Sequence, residues 1–294
     1  MTQALLMNTA TTASLDHLRD WIGRTEQSDD TVTAAPLAGL IATLDRADDP
    51  APIDGSVLPP LAHWLYFLPQ ALQREIGADG HPKRGGFLPP VPLPRRMWAG
   101  GRLAFVHPIR VGEPVTRRST ITSVDAKHGR SGALVFVTVQ HEIVNAQGVA
   151  VREEHDIVYR DAPAPCAAVP VPPVAPADEQ FSRAITPDPV LLFRYSALTF
   201  NGHRIHYDRP YATEVEGYPG LIVHGPLIAT LLVDLLRREL PDAVLTQFDF
   251  KAASPLFDIH PFTLCGKREA DGGIALWARN HLGQLAMSAR AVIG

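Results

Sequence analysis

Cysteine is scarce in this sequence: 294 residues hold two, Cys166 and Cys265. So few, so far apart, provide neither a disulfide framework nor the paired spacing of a structural zinc site, and a reducing cytoplasm is the expected compartment. An excess of either charge is also missing. The 27 Lys and Arg against 31 Asp and Glu leave a net charge of −4, and the arginines are scattered, which argues against nucleic acid or an anionic membrane surface as partner. Long hydrophobic runs are absent too. The longest, Leu221 to Leu236, is interrupted by His224 and Asp234 and falls short of the roughly 20 apolar residues a membrane span needs. Met1 to Leu18 lacks a basic start and an apolar stretch, so no signal peptide is expected. No Gly-x-Ser-x-Gly occurs, which removes the nucleophile-elbow hydrolases.

What is present is concentrated between Tyr195 and Leu240, where a polar, histidine-rich loop feeds an apolar segment. The loop carries Asn201, His203, Arg204, His206 and Asp208 and ends at Ile222-Val-His224-Gly225. Pro226 suits a first helical turn, where its missing N–H would be unpaired anyway. Leu227, Ile228, Leu231, Leu232, Leu235 and Leu236 form one broad apolar face, and Ala229, Thr230 and Val233 keep the other nearly apolar. The spacing predicts an enclosed helix. Its N-terminus, beginning at the Gly225 N–H, points free donors at whatever the histidine loop holds.

Ahead of this stretch, Leu15 to Ile22 (with Ser14 as cap) and Thr33 to Arg46 carry helical patterns. Leu61-Ala-His-Trp-Leu-Tyr-Phe-Leu is a core or groove wall. Gly85 to Trp98 is proline-rich, extended and bracketed by Lys83, Arg84, Arg95 and Arg96. The period then changes to two: Leu103 to Val111, Thr116 to Val124, Ala133 to Ile143 and Val149 to Tyr159 read as a four-stranded antiparallel meander, with turns at Gly112, Lys127 to Gly129 and Asn145 to Gly148. Asp161 to Asp178, rich in Pro, Ala and Val, is a linker. The plan then repeats. An extended piece through Phe193 to Phe200 and the central helix precede strands at Gln247 to Ala253, Phe262 to Lys267, Ile274 to Asn280 and Leu285 to Ile293. Each half ends in an Asn-x-x-Gly hairpin, Asn145 to Gly148 and Asn280 to Gly283, as a degenerate internal duplication would. The domains expected are 1–160, a linker over 161–178, and 179–294.

Phe200-Asn201, then His206, then Ile222-Val-His-Gly225 before an apolar helix resembles the MaoC-like (type-2) enoyl hydratases. The run Phe-Leu-Pro-Pro-Val-Pro-Leu-Pro-Arg-Arg-Met-Trp98 is similar to one in mesaconyl-CoA (3-methylfumaryl-CoA) hydratases. The resemblance implies an α+β double hot-dog fold, two antiparallel sheets each wrapped around a helix. It also implies a hydro-lyase acting on an α,β-unsaturated acyl-CoA, with mesaconyl-CoA and a citramalyl-CoA as the expected pair. His206 becomes the catalytic histidine and Gly225 the donor to the thioester carbonyl. Asn201 stands where most of the family has Asp; an amide can orient water but cannot shuttle a proton, so His206 alone, or a carboxylate such as Asp208, has to move it. Arg204 replaces a proline and would suit a substrate carboxylate. Arg95, Arg96, Trp98, His203 and His224 complete the expected substrate- and CoA-binding set, with ordinary loop packing as the alternative for His203 and His224. His107, His141, His155 and His260 are read as structural. No metal and no redox cofactor is expected, coenzyme A being part of the substrate, and a homodimer is the expected assembly. A 3-hydroxyacyl-thioester dehydratase and a non-catalytic acyl-CoA-binding hot dog are the competing readings.

Overall fold

The computed structural model describes residues 15–129, 132–161 and 171–294. The Ser14 cap, Cys166 and residues 162–170 of the linker lie outside that description. The strands are β1 (Thr25–Thr31), β2 (Arg95–Phe105), β3 (Pro114–Gly129), β4 (Gly132–Asn145), β5 (Gly148–Arg160), β6 (Phe181–Ile185), β7 (Leu245–Ala252), β8 (Phe262–Arg268), β9 (Ile274–Asn280) and β10 (Leu285–Ile293). The helices are α1 (Ala34–Thr43), α2 (Pro189–Leu198) and α3 (Gly225–Glu239).

All ten strands join one sheet in the order β1-β3-β4-β5-β2-β7-β10-β9-β8-β6, and every pairing is antiparallel. Reading outward from the middle, the second half repeats the first with each strand number raised by five. The halves meet where Gly100 to Ala104 of β2 run against Lys251 to Gln247 of β7. Two glycines make that seam possible. A Cβ on Gly100 would lie 2.6 Å from the Phe250 carbonyl oxygen, and one on Gly101 would lie 2.8 Å from the Phe250 ring.

The two sheets expected from the sequence are therefore fused edge to edge, and the halves differ in their helices. α3 is enclosed as its spacing predicts: Leu227 to Leu236 are all buried. Its one buried carboxylate, Asp234, is held by Arg46 (3.2 Å), Arg183 (2.7 Å) and Arg238 (2.8 Å), as a buried charge must be. Among the described residues the first half has no long counterpart. Between α1 and β2 lie only two 3₁₀ turns, Ala62–Leu65 and Gln73–Glu75. Leu61, Ala62, Leu65, Tyr66 and Phe67 fill the space instead, in the same core as the α3 leucines.

Other boundaries moved for physical reasons. The segment through Phe193 is helical, because Asp188 accepts the Leu191 N–H at 2.7 Å and Pro189 sits in the first turn. β2 begins at Arg95 and ends before Pro108, which cannot donate to a ladder; only Arg110, bridged to Val57, pairs beyond it. The strand β3 continues through the expected turn to Gly129. β1 was not visible in the sequence: Thr25-Glu-Gln-Ser-Asp-Asp-Thr31 has no apolar alternation and is an edge strand held by backbone pairing to β3.

Candidate active site

α2 delivers the histidine loop through a left-handed exit. The Phe200 N–H reaches the Ala197 carbonyl (3.3 Å) and the Asn201 N–H reaches the Ser196 carbonyl (2.8 Å), with Phe200 at φ 48°. This is the Schellman closure, with a phenylalanine where glycine is usual; such strain is common beside working loops. Asn201 Oδ1 then accepts the His203 N–H at 3.0 Å. A 3₁₀ turn over Arg204–His206 swings His206 inward, where it is buried.

His206 Nδ1 lies 2.8 Å from the Ile222 carbonyl oxygen. A carbonyl only accepts, so Nδ1 carries the proton and Nε2 presents its lone pair. The ring stacks on His224 with centroids 3.7 Å apart. His224 is itself held by Ser196 Oγ, 2.8 Å from its Nε2, while its buried Nδ1 has no partner among the described residues. Directly after His224, α3 begins at Gly225. Among the described residues nothing accepts the Gly225 N–H, and a Cβ built there would meet nothing within 4 Å. The positive end of a buried helix thus opens beside the His206 ring.

A loop from the first half closes the other side. Gly80, at φ +89°, packs backbone to backbone on Gly202: a Cβ there would sit 1.8 Å from the Gly202 carbonyl oxygen. The Arg204 N–H donates to the Asp79 carbonyl at 2.9 Å. Asp79 and His81 come with this loop. The Asp79 carboxylate takes the His81 backbone N–H (3.0 Å) and faces its Nδ1 (3.1 Å). The His81 ring lies 4.0 Å from that of His203, which in turn is 5.4 Å from that of His206. Four imidazoles therefore run in line from His81 to His224.

Burial pushes His206 down to about 3, with His203 adding to it. Burial and His81 bring His203 to about 3, and His224 and His81 are also lowered, chiefly by burial. These rings are neutral at physiological pH. Burial raises the Asp79 carboxyl, but hydrogen bonds from His81 outweigh it and hold the group well below the usual range. On the Asp79–His81 side of this line, away from the His206 and Gly225 end, lies a cavity of about 130 Å3 lined by Asp79, His81, Lys83, Arg84 and Arg96 among others. Donor atoms of Asp79, His81 and His203 lie within 4.8 Å of one another, close enough for a metal ion. Three cations line the same cavity, and their charge opposes a dication and favours an anion.

A profile of the hydroxyacyl-thioester dehydratase type 2 family matches residues 61–258. The mesaconyl-C(4)-CoA hydratase of Chloroflexus aurantiacus is 48% identical over 93% of this chain and 97% of its own. The chain belongs to the hydroxyacyl-thioester dehydratase type 2 family. Among solved structures, a MaoC-like dehydratase from Phytophthora capsici superposes with a TM-score of 0.68 at 14% identity, covering 95% of this chain and 98% of that one. A Mycobacterium tuberculosis protein with a double hotdog fold superposes with a TM-score of 0.57 at 15% identity, covering 93% and 96%. The fold is the double hot dog expected from the resemblance, and the family is one of hydratases and dehydratases.

Against that family pattern, His206, His203, His224 and Gly225 are brought together. Asn201 belongs to the same loop, but its Oδ1 is used by the His203 N–H. Arg204 does not face the cavity as a free cation: it pairs with Asp208 (2.7 Å), donates to the Ala78 carbonyl (3.0 Å) and stacks 4.1 Å above Tyr211. That pairing also occupies Asp208, which caps the Tyr211 N–H at 3.1 Å and is not available to His206. Arg95 is tied to Glu216 at 3.2 Å. Trp98 joins an aromatic wall with Trp64, Phe250 and His155. Arg96 lines the cavity. Sequence reasoning missed Asp79, His81 and Ser196. Gly77-Ala-Asp-Gly80-His81 reads as an ordinary turn, and only its glycine-to-glycine docking on residue 202 reveals it. Among the described residues, no helix is long and apolar enough to cross a membrane.

Proposed function

We propose that the chain adds water reversibly to a short dicarboxylic enoyl-CoA of the mesaconyl-C4-CoA kind, giving a citramalyl-CoA-type product. The observation that carries this is His206, its Nδ1 proton committed to the Ile222 carbonyl and its Nε2 lone pair beside the unpaired N-terminus of α3. In the proposed reaction Nε2 takes a proton from water as the oxygen bonds to the β-carbon of the thioester. The electron pair of the double bond moves onto the thioester oxygen, which the Gly225 N–H and the helix dipole stabilise. The imidazolium then returns that proton to the α-carbon, so that one H and one OH are added overall. Asn201 acts by holding the loop through His203 rather than by moving a proton.

The mesaconyl-C(4)-CoA hydratase relative supports the substrate class. The fungal relative from Schizosaccharomyces pombe, a mitochondrial hydroxyacyl-thioester dehydratase type 2 that is 28% identical, keeps a second reading in view: the same chemistry run as dehydration on a fatty 3-hydroxyacyl thioester. Following the loss of enoyl-thioester absorbance with mesaconyl-C4-CoA, crotonyl-CoA and a long-chain enoyl-CoA tests both. Preference for the long chain overturns the dicarboxylic reading, and no turnover on any overturns the hydratase. The proposed reaction uses no metal or redox cofactor, so dialysis against EDTA leaves the rate unchanged. Residence in the cytoplasm, supported by the scarcity of cysteine, and a homodimer, tested by sedimentation, belong to the same proposal.

A further inference from the structure

The structure's free cation at the site is not the one the loop motif suggests. Arg204 is spent on Asp208 and Arg95 on Glu216. Arg84 donates to the carbonyls of Val91, Leu93 and Pro94 and so braces the proline-rich run; Lys83 Nζ, exposed, donates to the Arg74 carbonyl at 2.9 Å. Arg96 differs from all of these. Among the described residues no carboxylate pairs with it; it is half-buried at the start of β2, opposite Tyr159, whose side chain is its hydrogen-bonding neighbour and leaves its charge uncompensated. On a strand, alternate residues share a face, so Arg96 projects on the side of Trp98, whose ring lies 3.9 Å from His155. Its charge contributes to lowering both His81 and His203, so its guanidinium lies near the histidine line. Lys83, Arg84 and Arg96 against Asp79 leave the cavity lining with a formal surplus of two positive charges.

We propose that Arg96 is the specificity-determining residue of this site, binding the free carboxylate of a dicarboxylic acyl-CoA inside the cavity bounded by His81 and Asp79. The inference rests on the acyl-CoA reading above and adds where the second acid group sits. A guanidinium fork matches a carboxylate bidentately, and such charge-assisted pairs are strong in a partly buried site. The half-buried position lets Arg96 bind an anion without the dilution a fully solvated cation suffers.

The test is binding without turnover: calorimetric titration of succinyl-CoA and butyryl-CoA, saturated thioesters that differ in the terminal carboxylate, into wild type, Arg96→Gln, Arg96→Lys and Arg204→Gln. Wild type is expected to prefer succinyl-CoA by about tenfold to hundredfold, as a bidentate charged pair would give. Arg96→Gln abolishes the preference while leaving butyryl-CoA affinity within about threefold. Arg96→Lys keeps part of it, and decides the matter should the glutamine variant fail to fold. Arg204→Gln leaves the preference in place. A wild type with no preference, or a preference that survives in a folded Arg96 variant, overturns the proposal. Should the preference vanish in Arg96→Gln although wild type hydrates no enoyl-CoA, the carboxylate site stands and the hydratase reading falls.

Discussion

Two clusters of buried and half-buried histidines lie in the two halves of the sheet, and they differ in what their nitrogens face. In the first half, His63, His141 and His155 surround Glu153. That carboxylate is buried and meets His63 Nε2 at 3.0 Å and Trp64 Nε1 at 3.1 Å, while His141 Nδ1 meets Ser119 Oγ at 2.9 Å. Burial raises the Glu153 carboxyl, but His63 outweighs it and holds the group at about 2. Burial brings His141 to about 4 and His155 to about 3. In the second half, His206 has a carbonyl on one nitrogen, two other imidazoles as neighbours and no carboxylate paired with it among the described residues. The first cluster is a core network built on a carboxylate, with His63 and His141 each hydrogen-bonded to a side chain. The second keeps a lone pair and a helix N-terminus unused, and reactivity of that kind, more than the number of histidines, marks a site.

The sharpest way to break this contrast is to remove one histidine from each cluster. His206→Ala is expected to cut hydration by at least about a thousandfold, beyond the effect of losing a single oxyanion donor, while the melting temperature changes little. Gly80→Ala comes next: its Cβ would collide with the Gly202 carbonyl, parting Asp79 and His81 from His203, with an expected rate loss of about tenfold to hundredfold. A rate close to wild type would sever the first-half loop from the chemistry. His63→Ala is expected to do the opposite of His206→Ala. It strips a buried carboxylate of a partner, a loss of about 3–5 kcal/mol seen as a lower urea midpoint, with kcat retained in the folded protein. Activity lost in step with His206→Ala would make the two clusters one site.

The smallest effects are those of pH. His141 and His155 are held below their unfolded value of 6.5, so the unfolded chain binds more protons as pH falls through 6.5. Glu153, held at about 2 against 4.5, adds a second loss between those values. Both have the same sign, and the melting temperature is expected to decline below about pH 6.5 and more steeply below about 4.5. Glu153→Gln should be less stable at pH 7 and flatter below pH 4.5. For catalysis, a His206 held at about 3 stays a neutral base through mildly acid conditions, so kcat/KM should show no inflection near pH 6.5 while the fold survives. An inflection there would mean that the ring is hydrated in the working enzyme.

Much of this was legible in the chain itself. The apolar spacing of Leu227 to Leu236 is a burial pattern, and the alternating strands of both halves, with their Asn-x-x-Gly hairpins, carry their own period and punctuation. Pro226 and Gly225 mark where α3 begins. Composition also set expectations: two cysteines argue against a disulfide framework, and the longest apolar run is too short for a membrane-spanning helix. These are properties of composition and of neighbours within a few residues, where side-chain periodicity and backbone freedom act directly.

Which cation is free, which carboxylate is near, and which half supplies them were decided only by the tertiary structure. Arg204 looked available until Asp208 and Tyr211 closed on it, and Arg96 looked interchangeable with Arg95 until the pleat turned them to different partners. Asp79 and His81 stand more than 100 residues from His206 and reach its loop through the Gly80–Gly202 approach and the hydrogen bonds Arg204 makes to the Asp79 and Ala78 carbonyls. A side chain's charge is written in the sequence; whether that charge is spent depends on what the fold brings within about 4 Å of it.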